Sequence, residues 1–163
     1  MAQWWVDENK VLGSGNPTND QLEKLFQQGF RTIISLLDES QQRTLYDKIK
    51  AKDLGFKWHS IPVRDFTAPT MGQFKEFLEI MNKVEAKVII HCQGGSGRTG
   101  TMGAAYWIAK GMPAHKAIDK VRQTNPGAIE EHEQEESLYE LVSILMHLGK
   151  SPQTYGGKSE TIN

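Results

Sequence analysis

The segment His91-Cys92-Gln93-Gly94-Gly95-Ser96-Gly97-Arg98-Thr99-Gly100 sets a thiol and a guanidinium six positions apart, with three glycines between them. Glycines let a backbone turn until successive N–H groups face one concavity, a nest for an anion. A helix beginning near Arg98 would add the positive end of its dipole at the same place. Nest and dipole together favour Cys92 as thiolate, the nucleophilic form. Arg98 can hold two oxygens of one phosphate with its planar fork, which a lysine does less well. The combination points to nucleophilic attack on a phosphate ester.

Other chemistries fit the same letters less well. Gly95-Ser96-Gly97-Arg98-Thr99-Gly100 matches the dinucleotide fingerprint G-x-G-x-x-G, which requires an acid closing a second strand about 20 residues on. Asp119 has the spacing but falls inside a predicted helix, with no strand beyond it. A nucleotide-hydrolysing P-loop needs Gly-Lys-Ser/Thr, and this loop carries no lysine. Cysteine is often simply buried, yet an inert core thiol has no use for an anion nest beside it.

The loop needs a strand to deliver it and a helix to receive it. Lys87–Cys92 is short, apolar and β-branched, the pattern of a buried strand, and Arg98–Lys110 suits a helix packed on a sheet. Upstream, Trp4–Val6 and Lys10–Gly13 read as a hairpin, with one tryptophan of Trp4-Trp5 facing inward and the other outward. Thr18 or Asn19 caps a helix bearing Leu22, Leu25 and Phe26, and Gly29 ends it. Phe30–Leu37 and Phe56–Val63 read as strands. Between them Leu45 and Ile49 stand at helical spacing and predict a helix over 41–54. Pro69 or Thr70 opens a helix with Phe74, Phe77, Leu78 and Met81 on one stripe, and Pro113 starts another through Arg122. After Asn125-Pro126-Gly127, a final helix over 130–148 turns Leu138, Leu141, Ile144 and Leu145 inward. Strands alternating with helices argue for a three-layer α/β domain, its central sheet mixed, mostly parallel and flanked by helices. That domain spans 1–149. Residues 150–163, rich in Ser, Gly, Thr and Lys, are expected as a disordered tail. In such sheets ligands bind off the carboxyl ends of the strands, where 92–98 lies.

With 19 basic and 20 acidic residues among 163, the chain carries a net charge of −1 and no broad positive field for nucleic acid or an anionic membrane. No apolar run is long enough to cross a bilayer, and neither a signal peptide nor a lipidation motif is visible. A single cysteine forbids an intramolecular disulfide, so a reducing, cytoplasmic compartment is the expectation. Histidines 59, 115, 132 and 147 show no ligand spacing, so no metal and no cofactor are expected.

The run His91-Cys92, five residues, Arg98-Thr99 resembles the signature of the cysteine-dependent protein tyrosine phosphatase superfamily. Within it the chain is most similar to small atypical dual-specificity phosphatases of the VHZ type and their archaeal relatives. The likeness extends over Trp5 to Pro17, the strand at Ile33–Leu37, Ile61-Pro62 through Pro69, Asn125-Pro126-Gly127-Ala128-Ile129-Glu130 and Glu133-Gln134-Glu135. It implies the dual-specificity phosphatase fold and a two-step reaction through a phosphocysteine at Cys92. Arg98 and the backbone of Gln93, Gly94, Gly95, Ser96 and Gly97 would hold the phosphate oxygens. Thr99 would set its hydroxyl near the sulfur; a helix-capping role is equally open. Asp65 matches the position of the general acid, although Pro62-Val63-Arg64-Asp65 stands where relatives often have Pro-Asp directly. Gln134 and Glu130 fall where a hydrolytic water would be positioned; an acidic run at a helix start is also favoured by the dipole alone. His91 would support the loop without taking part in the chemistry.

The resemblance further implies phosphorylated proteins or peptides as partners, inhibition by phosphate-like oxyanions, and a monomer. The loop residues 93–96 are uncharged, unlike lysine-bearing loops that serve inositol lipids. A short chain implies a shallow pocket, open to phosphotyrosine and also to phosphoserine and phosphothreonine. Two other functions stay in view: a phosphate-reader that binds without turnover, and thiol-relay chemistry, which lacks a resolving cysteine here.

Overall fold

The computed structural model describes residues 3–147. The expected tail at 150–163 and the last residue of the final predicted helix lie outside them. The described elements are β1 (Gln3–Asp7), β2 (Val11–Ser14), α1 (Asn19–Gln27), β3 (Phe30–Leu37), α2 (Lys48–Leu54), β4 (Lys57–Val63), α3 (Met71–Lys83), β5 (Lys87–His91), α4 (Gly97–Ala109), α5 (Ala114–Thr124) and α6 (His132–His147). The five strands form one sheet in the order β1-β2-β5-β3-β4. β1 pairs antiparallel with β2, and every other pairing is parallel. The expected mixed, mostly parallel sheet is therefore present, with β5 at its centre.

Alternation along the strands divides the core into two. Leu22, Leu25 and Ala51 of α1 and α2 pack with Phe30, Ile33 and Ile89 on one face. Val88, Ile90, Ile34 and Leu36 point to the other face, where α3, α4, α5 and α6 supply Phe77, Leu78, Met102, Ile118 and Leu138. Successive residues of β5 thus feed opposite layers, as a period of two requires. Threonine caps with returning glutamines start two helices: Thr18 with Gln21 on α1 and Thr70 with Gln73 on α3. Gly29, with φ of +100°, turns the chain out of α1 into β3.

One expectation is corrected. The helix read over 41–54 begins only at Lys48, and residues 38–47 are turns and loop. Leu45 and Ile49, taken as its apolar face, are 61% and 70% exposed. The backbone here finds partners on a distant segment: Asn16 accepts from the Leu45 amide and donates to the Arg43 carbonyl, and Asn19 accepts from the Asp47 amide. Asp47 then caps the short α2. Ile144 is half-buried on α6, while Leu138, Leu141 and Leu145 are buried as expected.

Candidate active site

Cys92 follows the last residue of β5 and donates its amide to the Ser14 carbonyl of β2 at 3.3 Å. The thiol is buried, and the Gly95 N–H donates to Sγ at 3.2 Å, so one amide of the expected nest points at the sulfur. Gly95 has φ of +85°, and a methyl there would sit 2.5 Å from the Gly15 nitrogen; glycine is required twice over. Its carbonyl accepts from Trp4 Nε1 at 2.8 Å, so the inward tryptophan of β1 braces the loop. On the next turn the Ser96 carbonyl accepts from Gly100 and Ile129. Asn16 clamps the other side through its amide to the Gln93 carbonyl and its side chain to Gln93 Oε1. Ser96, at the N-cap of α4, makes no side-chain capping bond, which leaves the first amides of α4 without a side-chain cap.

Arg98 is 1% exposed, the largest fully buried side chain among those described. Its Nη1 donates to the Val63 carbonyl and its Nη2 to Gln42 Oε1, each at 2.9 Å. Nη2 also stands 3.3 Å from Asp65 Oδ1. Its Nε is buried and has no hydrogen-bond partner in the structure, and the same holds for Thr99 Oγ1. A capping role for the Thr99 hydroxyl is therefore not realised in this arrangement.

Asp65 lies in the loop between β4 and α3. Its Oδ2 accepts from Gln42 Nε2 at 2.8 Å, its Oδ1 accepts from the Phe66 amide at 3.0 Å, and its own amide donates to Gln41 Oε1 at 2.9 Å. Phe66 follows with φ of +64° and its ring in solvent. Cys92, Arg98 and Asp65 are thus gathered at the carboxyl edge of the parallel strands.

Gln134 is buried, and its amide is held at both ends: Oε1 accepts from the Glu130 and Glu131 amides, and Nε2 donates one of its two protons to the Thr67 carbonyl. It ties the loop that carries Asp65 to the start of α6. Gln134 and Glu130 both lie against the 92–98 loop, since a methyl on Gly97 would come within 3.3 Å of Gln134 Nε2 and 3.2 Å of Glu130 Oε2.

His91 is fully buried next to Cys92 in the chain. Its Nδ1 is 3.2 Å from the Cys92 carbonyl and its Nε2 is 2.7 Å from the Tyr46 hydroxyl, which in turn accepts from Trp58 Nε1. One proton arrangement satisfies the chain: Trp58 donates to Tyr46, Tyr46 to His91 Nε2, and His91 Nδ1–H to the carbonyl. Burial, assisted by the Arg98 charge, pushes the imidazole down to about 4, so it is neutral at pH 7. Burial likewise pushes the Tyr46 hydroxyl up to about 12.

Sequence reasoning missed Gln41, which touches Asp65, and Gln42, which touches both Asp65 and Arg98. The available signal was their place just past the carboxyl end of a predicted strand, the edge where ligands bind. Among the described residues no cluster of histidine, cysteine and carboxylate side chains suits a metal, and no helix is long and apolar enough to cross a membrane.

A five-stranded mixed sheet that delivers a Cys-x5-Arg loop into a helix, with an aspartate loop facing it, defines a cysteine-dependent phosphatase fold. The chain belongs to the family described as "Polymorphic toxin system, DSP-PTPase phosphatase", whose pattern matches residues 9–112. The human dual specificity protein phosphatase CDC14C is 35% identical over 99 residues, covering 60% of this chain and 21% of that protein. The Tyrosine-protein phosphatase CDC14 homolog of Schizosaccharomyces pombe is 33% identical over 88 residues, 52% of this chain and 16% of its own. The chain spans about a fifth of the length of the curated relatives it matches. A crystal structure of Tk-PTP in the active form superimposes with a TM-score of 0.78 at 31% identity, covering 86% of this chain and 96% of that one.

Proposed function

We propose that the chain is a phosphoprotein phosphatase, acting on phosphotyrosine and, through a shallow pocket, on phosphoserine and phosphothreonine. The observation that carries this reading is Arg98, a guanidinium 1% exposed whose Nε lacks an acceptor, in the same loop as a thiol that accepts an amide hydrogen bond. Buried polar groups are normally paired, and a phosphate oxygen is the acceptor this one lacks.

In the first step the Cys92 thiolate attacks phosphorus. An S–P bond forms as the P–O bond to the leaving group breaks, and Asp65 gives its proton to the departing oxygen. Arg98 and the amides of residues 93–98 stabilise the three non-bridging oxygens. In the second step water attacks phosphorus, the S–P bond breaks, and the Asp65 carboxylate takes the water's proton. Orthophosphate and the thiolate result. Thr99, with its unpaired hydroxyl, donates to the leaving sulfur; Glu130 and Gln134 orient the water. The uncharged side chains at 93–96 offer no cation for a second phosphate, which favours phosphoproteins over polyphosphoinositides. The protein works without metal or cofactor, as a monomer in the cytoplasm, and oxyanions such as vanadate inhibit it by filling the nest.

Phosphate release from an aryl phosphate, measured for wild type beside Cys92→Ser, tests the proposal. Turnover by wild type and none by the variant is the expected result. Equal turnover by both would overturn the thiolate mechanism. Vanadate binding without any turnover would make the chain a phosphate-reader instead.

A further inference from the structure

Resting on the reading of Asp65 as the acid, we propose that Gln42 is the positioning residue that aligns the acid with the phosphate-binding arginine. Its amide spans the two groups directly. Oε1 accepts from Arg98 Nη2 at 2.9 Å, and Nε2 donates to Asp65 Oδ2 at 2.8 Å. Charge fixes which end faces which: a flipped amide would press NH2 against a guanidinium and a carbonyl against a carboxylate. A glutamate here would pair with Arg98 but repel Asp65, and a lysine would do the reverse, so an amide alone serves both.

The neighbouring residue completes the clamp, since Gln41 Oε1 accepts from the Asp65 amide at 2.9 Å. The segment carrying both glutamines is itself tied down. The Asp38 carbonyl accepts from the amides of Gln41 and Gln42, and Asn16 holds Leu45 and Arg43. The acid loop needs such a hold. Phe66, immediately after the acid, takes φ of +64°, a conformation that a bulky residue keeps only when its surroundings enforce it. With the ring of Phe66 in solvent, packing of its own side chain does not enforce it. The Thr67 amide and hydroxyl, both donating to the Arg64 carbonyl, close the turn around Phe66, and the Gln41 and Gln42 contacts with the Gln134 bond to the Thr67 carbonyl tie that turn to its surroundings. Gln42 is only half-buried, so removing its amide opens no core cavity.

The test is steady-state kinetics on phenyl phosphate, a poor leaving group, and p-nitrophenyl phosphate, a good one. Wild type is compared with Gln42→Leu, Gln42→Glu, Asp65→Asn and the double variant Gln42→Leu/Asp65→Asn. General-acid catalysis matters most for poor leaving groups, so Gln42→Leu should lose about tenfold in kcat on phenyl phosphate and under about threefold on p-nitrophenyl phosphate. In the Asp65→Asn background the same change should have little further effect, because the group it positions is gone. Gln42→Glu keeps the acceptor for Arg98, so it should lower kcat selectively while KM stays near wild type. Equal losses on both substrates, or an undiminished loss in the Asp65→Asn background, would overturn the inference while leaving the acid assignment standing. If Asp65→Asn itself leaves the leaving-group dependence unchanged, the acid assignment falls and the inference falls with it. Should Gln42→Leu fail to fold, Gln42→Asn, one methylene shorter, carries the same comparison.

Discussion

Thr99 and Arg98 keep, side by side at the start of α4, the only two buried side-chain polar atoms without partners among the described residues. An unsatisfied buried hydroxyl costs about 1–3 kcal/mol, and folding alone gives no reason to keep it. The proposed reaction does: in it a free hydroxyl is available to the sulfur when it leaves phosphorus. Thr99→Val, nearly isosteric, should therefore stabilise the fold by about 1 kcal/mol while slowing the second step. Denaturant melts and a pre-steady-state burst read the two effects, the burst appearing because phosphocysteine now accumulates. A less stable variant with no burst would return Thr99 to a packing role. A role for these two residues could be proposed from the sequence because both stand in one short loop with Cys92. None could be for Gln42, because its meaning lies in Asp65 and Arg98, which only the fold brings to it.

Elements were legible to the extent that their own residues decide them. Buried strands such as Phe30–Leu37, and helices with caps and apolar stripes such as α3, appear where periodicity puts them, within a residue or two at the ends. The segment 38–47 fails that test for a physical reason. Its backbone groups are satisfied by Asn16 and Asn19, more than 20 residues earlier, so local periodicity at Leu45 and Ile49 says nothing about it. The seat of α4 is likewise set by a remote segment. A methyl on Gly100 would lie 2.8 Å from Ala128 Cβ and 2.9 Å from the Ile129 nitrogen, closer than packed atoms sit. Gly100→Ala must push the 125–130 segment away and break the hydrogen bond from Ile129 to the Ser96 carbonyl. A loss of about 1–3 kcal/mol is expected, with KM raised because Ser96 lies in the loop proposed to hold the phosphate. Unchanged stability and KM would show that the segment gives way freely.

Across the whole molecule, the hydrogen-bonded chain of Trp58, Tyr46 and His91 links β4, the 38–47 segment and the central strand to the Cys92 carbonyl. It also couples the fold to pH, and the direction follows from where the proton can go. An unfolded chain binds a proton at His91 near the ordinary 6.5, whereas in the folded protein burial holds the imidazole at about 4. Between those values the unfolded state takes up a proton that the folded state refuses, so stability falls as pH drops from about 6.5 to about 4. Fully developed, the effect amounts to about 3 kcal/mol. His59, lowered mainly by partial burial, acts in the same direction. Asp38, held below the usual carboxylate range by the Ser40 hydroxyl and amide, also favours the fold less as acid is added. Both of these persist when only His91 is changed. His91→Gln should consequently be less stable than wild type at pH 7, for want of a well-fitted hydrogen-bonded ring, yet lose less on acidification. Urea melts of the two proteins at pH 7 and pH 4.5 give the comparison, with a difference of roughly 2 kcal/mol in the acid-induced loss expected from the linkage relation. Parallel losses would mean that His91 takes its proton inside the folded protein, and that the hydrogen-bonded chain opens before the rest of the molecule does.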